Sequence, residues 1–206
     1  MSSKLSDTPA PRRQRGRPSG FVPHEALEAA MCLFWRTGYD AASVDEICKA
    51  TRMPRATLYQ RYGGKEGLFL ATLDHYGDTR IRPLLDTLGP KGDLEQDIAR
   101  FFQAVLRLAT GQNGPTGCLI SCVLSDAAGA NPRFRAELEE RFASLETRLE
   151  QRIRAAGPRY DANHPPEVLA MLLAAIARGI MVRARAGADA RRLTPVADAA
   201  ASLCAA

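Results

Sequence analysis

Apolar residues return at helical spacing along most of this chain, and the breaks between helical runs carry signals of their own. From Glu25 to Gly38, Leu27, Ala30, Met31, Phe34 and Trp35 recur every three or four positions, which predicts an amphipathic helix stopped by Gly38. Ser43 followed by Glu46 has the form of a capping box: the hydroxyl accepts from the backbone N–H three residues on, and the Glu side chain reaches back. A second, short helix is expected there, with Val44, Ile47 and Cys48 turned inward. Met53-Pro54 forbids a continuous helix through position 53 and proline suits a first helical position, so a third helix should run from Pro54 to the Gly63-Gly64 pair. Its inward residues, Leu58 and Tyr62, leave Arg55, Thr57, Gln60 and Arg61 facing elsewhere. Lys65-Glu66 opens a fourth helix through Leu68, Phe69 and Leu73.

After Gly77 the helical runs continue over 94–109, 118–128, 132–156, 166–186 and 189–204, punctuated by Gly89-Pro90, Gly114-Pro115, Gly157-Pro158 and Pro165-Pro166. Nothing alternates like a strand, so the expected fold class is all-α with about nine helices. The run that starts at Pro166 is apolar on nearly every face (Val168, Leu169, Met171, Leu172, Leu173, Ile176) and must be covered on several sides. Two covers are open at this point: the monomer's own core, or a second copy.

Composition narrows the class. The longest apolar run, Val168 to Ala177, falls well short of the roughly twenty residues a bilayer span needs, so no membrane segment is expected. The formal net charge of +5 is concentrated: up to residue 20, Lys4, Arg12, Arg13, Arg15 and Arg17 stand against Asp7 alone. That stretch also carries Pro9, Pro11, Pro18, Gly16 and Gly20, cannot build a core, and is read as a mobile basic arm. It contains no apolar stretch of the kind a secretory signal needs, and a cytoplasmic protein is expected. Five cysteines, Cys32, Cys48, Cys118, Cys122 and Cys204, are scattered without paired CxxC spacing, which favours free thiols and no zinc site. His24, His75 and His164 have no partner at metal-ligand spacing, and HExxH, GxSxG and Walker patterns are missing, so neither a cofactor nor an enzyme is expected.

Two short helices joined by Thr51-Arg52-Met53 and flanked by longer ones have the form of a helix-turn-helix, although a small bundle that merely turns sharply has the same spacing. Chemistry separates the two. A recognition helix presents short polar and cationic side chains near its N-terminus, and Arg55, Thr57, Tyr59, Gln60 and Arg61 supply that set. The order Gly16-Arg17-Pro18, Ala29-Ala30 to Phe34-Trp35, Gly38-Tyr39, Ser43-Val44, Ala56-Thr57-Leu58-Tyr59 and Tyr62-Gly63-Gly64-Lys65-Glu66-Gly67-Leu68-Phe69 resembles the DNA-binding domain of the TetR family of one-component transcriptional regulators. Two positions depart from that family's habit. Arg52 stands where glycine is usual in the turn and would be strained in a left-handed conformation, and Pro54 stands where Ser or Thr usually opens the recognition helix.

The resemblance implies a basic arm over 1–20, a DNA-binding domain over 21–77 and an effector-binding and dimerisation domain over 78–206. It implies a homodimer, joined through helices near 166–187 and 189–204, on a near-palindromic double-stranded operator. Arg55 and Gln60 are the expected base readers, since Arg forks onto guanine and Gln onto adenine. Thr57 is expected at a base methyl or a phosphate, with Arg61 on the same helix. Tyr59, Lys65 and Ser43 are expected on phosphates, and Arg17 on the backbone or in the minor groove. An effector of unknown identity is expected between Phe101, Phe102, Val105, Cys118, Cys122, Phe142 and Met171, although plain core is the first reading of each. Cys118 and Cys122, one helical turn apart, leave a thiol- or metal-responsive regulator as the alternative, against buried apolar filling.

The charge partition generates a first prediction. Deleting residues 1–17 should weaken operator binding and flatten its salt dependence by about one unit of slope for each phosphate the arm neutralises. Binding titrated across a salt series checks this, and an unchanged slope removes the arm from the interface.

Overall fold

The computed structural model describes residues 22–89, 92–111, 114–157 and 164–204, and among these the chain forms nine helices and no strand. Four build the N-terminal unit. α1 (Pro23–Thr37) buries Ala26, Ala30, Met31, Phe34 and Trp35, and ends where the N–H of Gly38, at φ 85°, donates to the Phe34 carbonyl. α2 (Val44–Thr51) carries the expected capping box complete: Ser43 Oγ accepts from the Glu46 N–H at 3.2 Å and Glu46 Oε2 accepts from the Ser43 N–H at 2.9 Å. Arg52 then takes the left-handed conformation, φ 53° and ψ 23°, where a side chain is strained by about 1–2 kcal/mol. Thr51 holds this turn: its buried hydroxyl donates to the Ile47 carbonyl at 2.7 Å and accepts from the Met53 N–H at 3.2 Å.

α3 (Arg55–Tyr62) starts one residue later than the sequence predicts. Pro54 has ψ 143° and caps the helix from outside, because the extended backbone leaving the Arg52 turn reaches helical geometry only at Arg55. α4 begins as Lys65–Tyr76 and does not stop at Gly77: it continues through a wide π-helical turn, Gly77–Ile81, into Arg82–Asp86. The sequence pattern assigns no helix over 78–93, yet the chain stays helical to Asp86, with Pro83 in the first turn after the widened stretch, where its missing N–H is tolerated.

Five helices form the C-terminal unit. α5 (Leu94–Ala109) is capped by Asp93, and α6 opens as a π-helical stretch, Leu119–Leu124, that passes into Ser125–Ala127. α7 (Pro132–Arg154), α8 (Pro166–Arg185) and α9 (Ala190–Ser202) complete it, with α5 packed against α8 and α9, and α7 against α8. α6 lies between the units and touches α1, α4, α7 and α8. It can approach α8 because of Gly117: at φ 85°, a Cβ there would lie 3.0 Å from Arg185 Cβ and 3.1 Å from Cys122 Sγ. No helix among the described residues is long and apolar enough to cross a membrane.

One ion pair is fully buried in this unit. Arg152 Nε donates to Asp97 Oδ2 at 2.6 Å with both side chains 1% exposed, and Arg100 engages the other carboxylate oxygen. Arg152 also donates to the carbonyls of Leu88 and Gly92, so one guanidinium ties α7 to α5 and to the chain leaving α4. Burial pushes its pKa down. Removing one partner of such a pair strands a buried charge and typically destabilises by about 3–5 kcal/mol.

Candidate nucleic-acid interface and the cavity behind it

α3 offers solvent polar and cationic side chains. Leu58 is wholly buried and anchors the helix, while Arg55, Tyr59, Gln60 and Arg61 are exposed and Thr57 is half-buried. Neither α3 nor α4 has a side chain capping its N-terminus, so first-turn N–H groups at both ends remain able to receive an anion. Arg55 already has a partner: its Nη2 donates to Asp45 of α2 at 2.6 Å, with both side chains largely exposed. Asp45 therefore orients the guanidinium at the exposed face of α3, in a pair weak enough to exchange for another acceptor.

Lys65 opens α4 in a more sheltered place. Its Nζ donates to the Asp40 carbonyl at 3.1 Å and sits 4.5 Å from the Tyr39 ring centroid, and burial lowers its pKa. Lys65 thus joins the start of α4 to the loop that leads into Ser43. Ser43 Oγ also donates to Glu46 at 2.7 Å, so its hydroxyl is committed to the cap and its position brings the α2 N-terminus to the same edge. Gly67 permits this closeness: a Cβ there would lie 1.8 Å from the Tyr62 carbonyl oxygen, so α4 can fold back against the end of α3 only with glycine at that position. Arg17 lies outside the described residues.

α4 leads away from this surface to a cavity in the C-terminal unit. Its far end supplies Ile81, Leu84 and Leu85, facing Phe101 and Val105 of α5, Ile120 of α6, Phe142 and Leu145 of α7, and Met181 of α8. The apolar space is about 60 Å³ and half-open, and it adjoins a more polar hollow of about 480 Å³ that shares Ile81, Leu85, Ile120, Arg141 and Leu145. Both π-helical stretches border it, which is where such irregular turns commonly occur. Of the residues named from sequence, Phe101, Val105, Cys118 and Phe142 line this space. Phe102 is buried against Phe101 in the core, Cys122 packs toward the Met181 carbonyl, and Met171 is 57% exposed on the outer face of α8. The Tyr76 hydroxyl donates to Cys118 Sγ at 3.2 Å, and Tyr76 is buried edge-on to Trp35 of α1. Burial raises the pKa of Tyr76 and of the Cys122 thiol.

Sequence reasoning missed the joints between the two units. Phe134 of α7 packs its ring against both Tyr39 and Phe69, with centroids 4.8 and 5.3 Å away. Glu66 of α4 receives Asn131 and Arg133, and Arg141 donates to the Leu73 carbonyl, to Asp74 and to Glu137. The spacing of Phe134 and Arg141, two turns apart on α7, is the signal that marks one face, but nothing local says which helix it meets. Within the N-terminal unit, His75 of α4 pairs with Glu28 of α1 at 2.9 Å, beside Arg80 at 2.6 Å, across 47 and 52 residues of chain.

With this geometry, comparison with known proteins is specific. Residues 26–72 match the model for bacterial regulatory proteins of the tetR family, and residues 95–200 match that of a tetracyclin repressor-like C-terminal domain. The HTH-type transcriptional repressor ComR of Escherichia coli is 32% identical over 193 residues, covering 90% of each chain. The transcriptional regulator AcuR of Cereibacter sphaeroides is 30% identical over 178 residues, 81% of each. A cysteine-substituted CifR, a TetR family regulator solved on 26 bp operator DNA, superposes with a TM-score of 0.81 at 27% identity, covering 90% of this chain and 98% of that one. Matched at both ends and along most of its length, this chain belongs to the TetR family of helix-turn-helix DNA-binding transcriptional regulators.

Proposed function

We propose that this protein is a homodimeric repressor that binds a near-palindromic operator and is released from it by a small molecule held in the C-terminal cavity. The observation that carries the DNA-binding part is the exposed α3 surface, with Arg55, Tyr59, Gln60 and Arg61 beside two uncapped helix N-termini. In this reading residues 21–77 are the DNA-binding domain and 78–206 the effector-binding and dimerisation domain. Arg55 exchanges Asp45 for a guanine edge, Gln60 reads adenine, and Thr57 and Arg61 contact the groove or its walls. Tyr59, Lys65 and the α2 N-terminus at Ser43 hold phosphates, with Arg17 on the adjoining backbone. The repressing sense follows that of relatives such as ComR, which is itself a transcriptional repressor.

Dimerisation is supported by an unpartnered apolar face. Val168, Met171, Leu172 and Val182 of α8 and Val196 of α9 are each 39–57% exposed, and Val168, Leu172, Ala175, Gly179 and Val182 recur at helical spacing on one side. A stripe of this kind belongs against another surface, and a second copy supplies the matching one by two-fold symmetry. Release is supported by α4, which carries Lys65 at one end and lines the cavity at the other. A ligand that fits the cavity better in one position of α4 than another shifts the two recognition helices between binding and non-binding separations.

A thiol-responsive regulator is the second reading, favoured by Cys118, which lines the cavity and accepts the Tyr76 hydrogen bond. A metal-responsive version would draw on Cys118 and Cys122, and among the described residues no group of three or more His, Cys, Asp and Glu is placed around one ion. The Cys118→Ser, Cys122→Ser double variant separates the readings: if electrophiles or thiophilic metals still release it from DNA as they release the parent protein, the thiol reading is wrong.

Arg55→Ala should lower affinity for the operator by about tenfold or more while changing affinity for random DNA much less. Equal losses on both, measured by competition binding, would take base reading away from Arg55. Sedimentation at micromolar concentration should give the mass of a dimer, and Val182→Glu should shift it to that of a monomer; a monomeric parent protein would refute the interface.

A further inference from the structure

We propose that Arg52, in the turn between α2 and α3, grips a DNA phosphate at the wall of the groove that α3 enters, and that its backbone strain is kept for that contact. This rests on the reading of α3 as the groove helix and adds a contact outside it. Among the described residues Arg52 is the only one other than glycine with a positive φ, 53°. A residue held in that conformation against its preference marks a place where the side chain has a task. The turn itself does not need the side chain: the Thr51 hydroxyl braces it, donating to the Ile47 carbonyl and accepting from the Met53 N–H.

Nor does the rest of the fold use it. Arg52 is exposed, and among the described residues no hydrogen bond, ion pair or aromatic ring holds its guanidinium. Arg55, three residues on, is held by Asp45 at 2.6 Å. A cation at the end of α2 gains something from the helix dipole, but Lys49 in the last turn already supplies one, and the gain at an exposed end is smaller than the strain. The guanidinium is therefore available to an acceptor that the protein does not supply.

Position and chemistry point to phosphate. Three peptide units separate Arg52 from Arg55, so their Cα atoms are at most about 10 Å apart. Arg55 opens α3, and the first residues of a recognition helix enter a major groove about 12 Å wide with phosphates along both walls. Between the two arginines Met53 is buried and Pro54 is extended, which keeps Arg52 off the helix and at the rim of the surface it presents. An arginine fork matches phosphate oxygens with two parallel N–H bonds, and such a contact fixes register without reading sequence.

The test uses the full-length protein and a random-sequence DNA duplex, since a phosphate contact needs no operator. Arg52→Gly and Arg52→Asn remove the cation and suit a left-handed turn, so both should melt at the parent's temperature or above it. Both should bind the duplex about threefold or more weakly at low salt, and the slope of log affinity against log salt should fall by about one for each subunit bound. Arg52→Lys keeps the charge and should keep the parent's slope. On an operator duplex the loss should match that on random DNA, which separates Arg52 from a base reader. Unchanged affinity and slope in Arg52→Gly and Arg52→Asn would overturn the proposal, as would a slope lost equally in Arg52→Lys. A lower melting temperature in both uncharged variants would overturn it too, because the side chain would then serve the fold. Failure of the parent protein to bind either duplex defeats the groove reading of α3 as well, whereas binding that survives in full without the cation defeats the Arg52 contact alone.

Discussion

The contact between α4 and α7 is the constraint on which the rest of this molecule depends. Phe134 lies in the aromatic cluster of the DNA-binding unit against Tyr39 and Phe69, and two turns along α7 Arg141 holds the Leu73 carbonyl and Asp74. Asn131 and Arg133 hold Glu66 at the other end of the same face. Buried aromatic edges make this joint stiff, and the polar pairs on either side set its register. These contacts fix α4 from Glu66 to Asp74 against α7, and the same element continues past Gly77 to line the cavity.

The π-helical turn in α4 sits just past that grip. Arg141 reaches the Leu73 carbonyl immediately ahead of it, where the helix changes pitch, and Ile81 at its end faces the cavity. The α6 π-helical stretch faces it from the opposite side through Ile120. Two π-helical stretches thus meet at one cavity, which is where such irregular turns commonly occur.

At the DNA-facing end the polar groups are held without being used up. Arg55 is steered by an exposed carboxylate, Lys65 by a carbonyl and a ring face, and Ser43 by its own cap. The strain at Arg52 is met by Thr51, which binds the turn from inside with one hydroxyl. Glycine at that position would relieve the strain, and Arg52 in its place leaves a cation exposed beside the recognition helix.

Helix positions were legible from sequence because amphipathic spacing, caps and proline act over a few residues. The Ser43–Glu46 box, the Gly38 and Gly63 stops and the all-helical class are local consequences of local chemistry, whereas the left-handed turn at Arg52 was suggested only by the family resemblance. The helix over 78–86 was not read because its residues carry no amphipathic run of their own, and it packs against α5 only in the folded chain. The exposed set on α3 was readable because Leu58 fixes which side of so short a helix is inward. The cavity was half-legible: apolar residues at Phe101, Val105, Cys118 and Phe142 line it, yet Phe102 and Met171 look identical in sequence and point elsewhere. What separates them is which neighbour stands within a few ångströms. That neighbour is set by long-range pairs such as Arg152 with Asp97 and Arg141 with Asp74, whose partners lie 55 and 67 residues away. The sequence alone determined the helices and the chemistry each carries; the tertiary structure decided which charges meet, because a charge pair across that separation leaves no periodic trace in the chain.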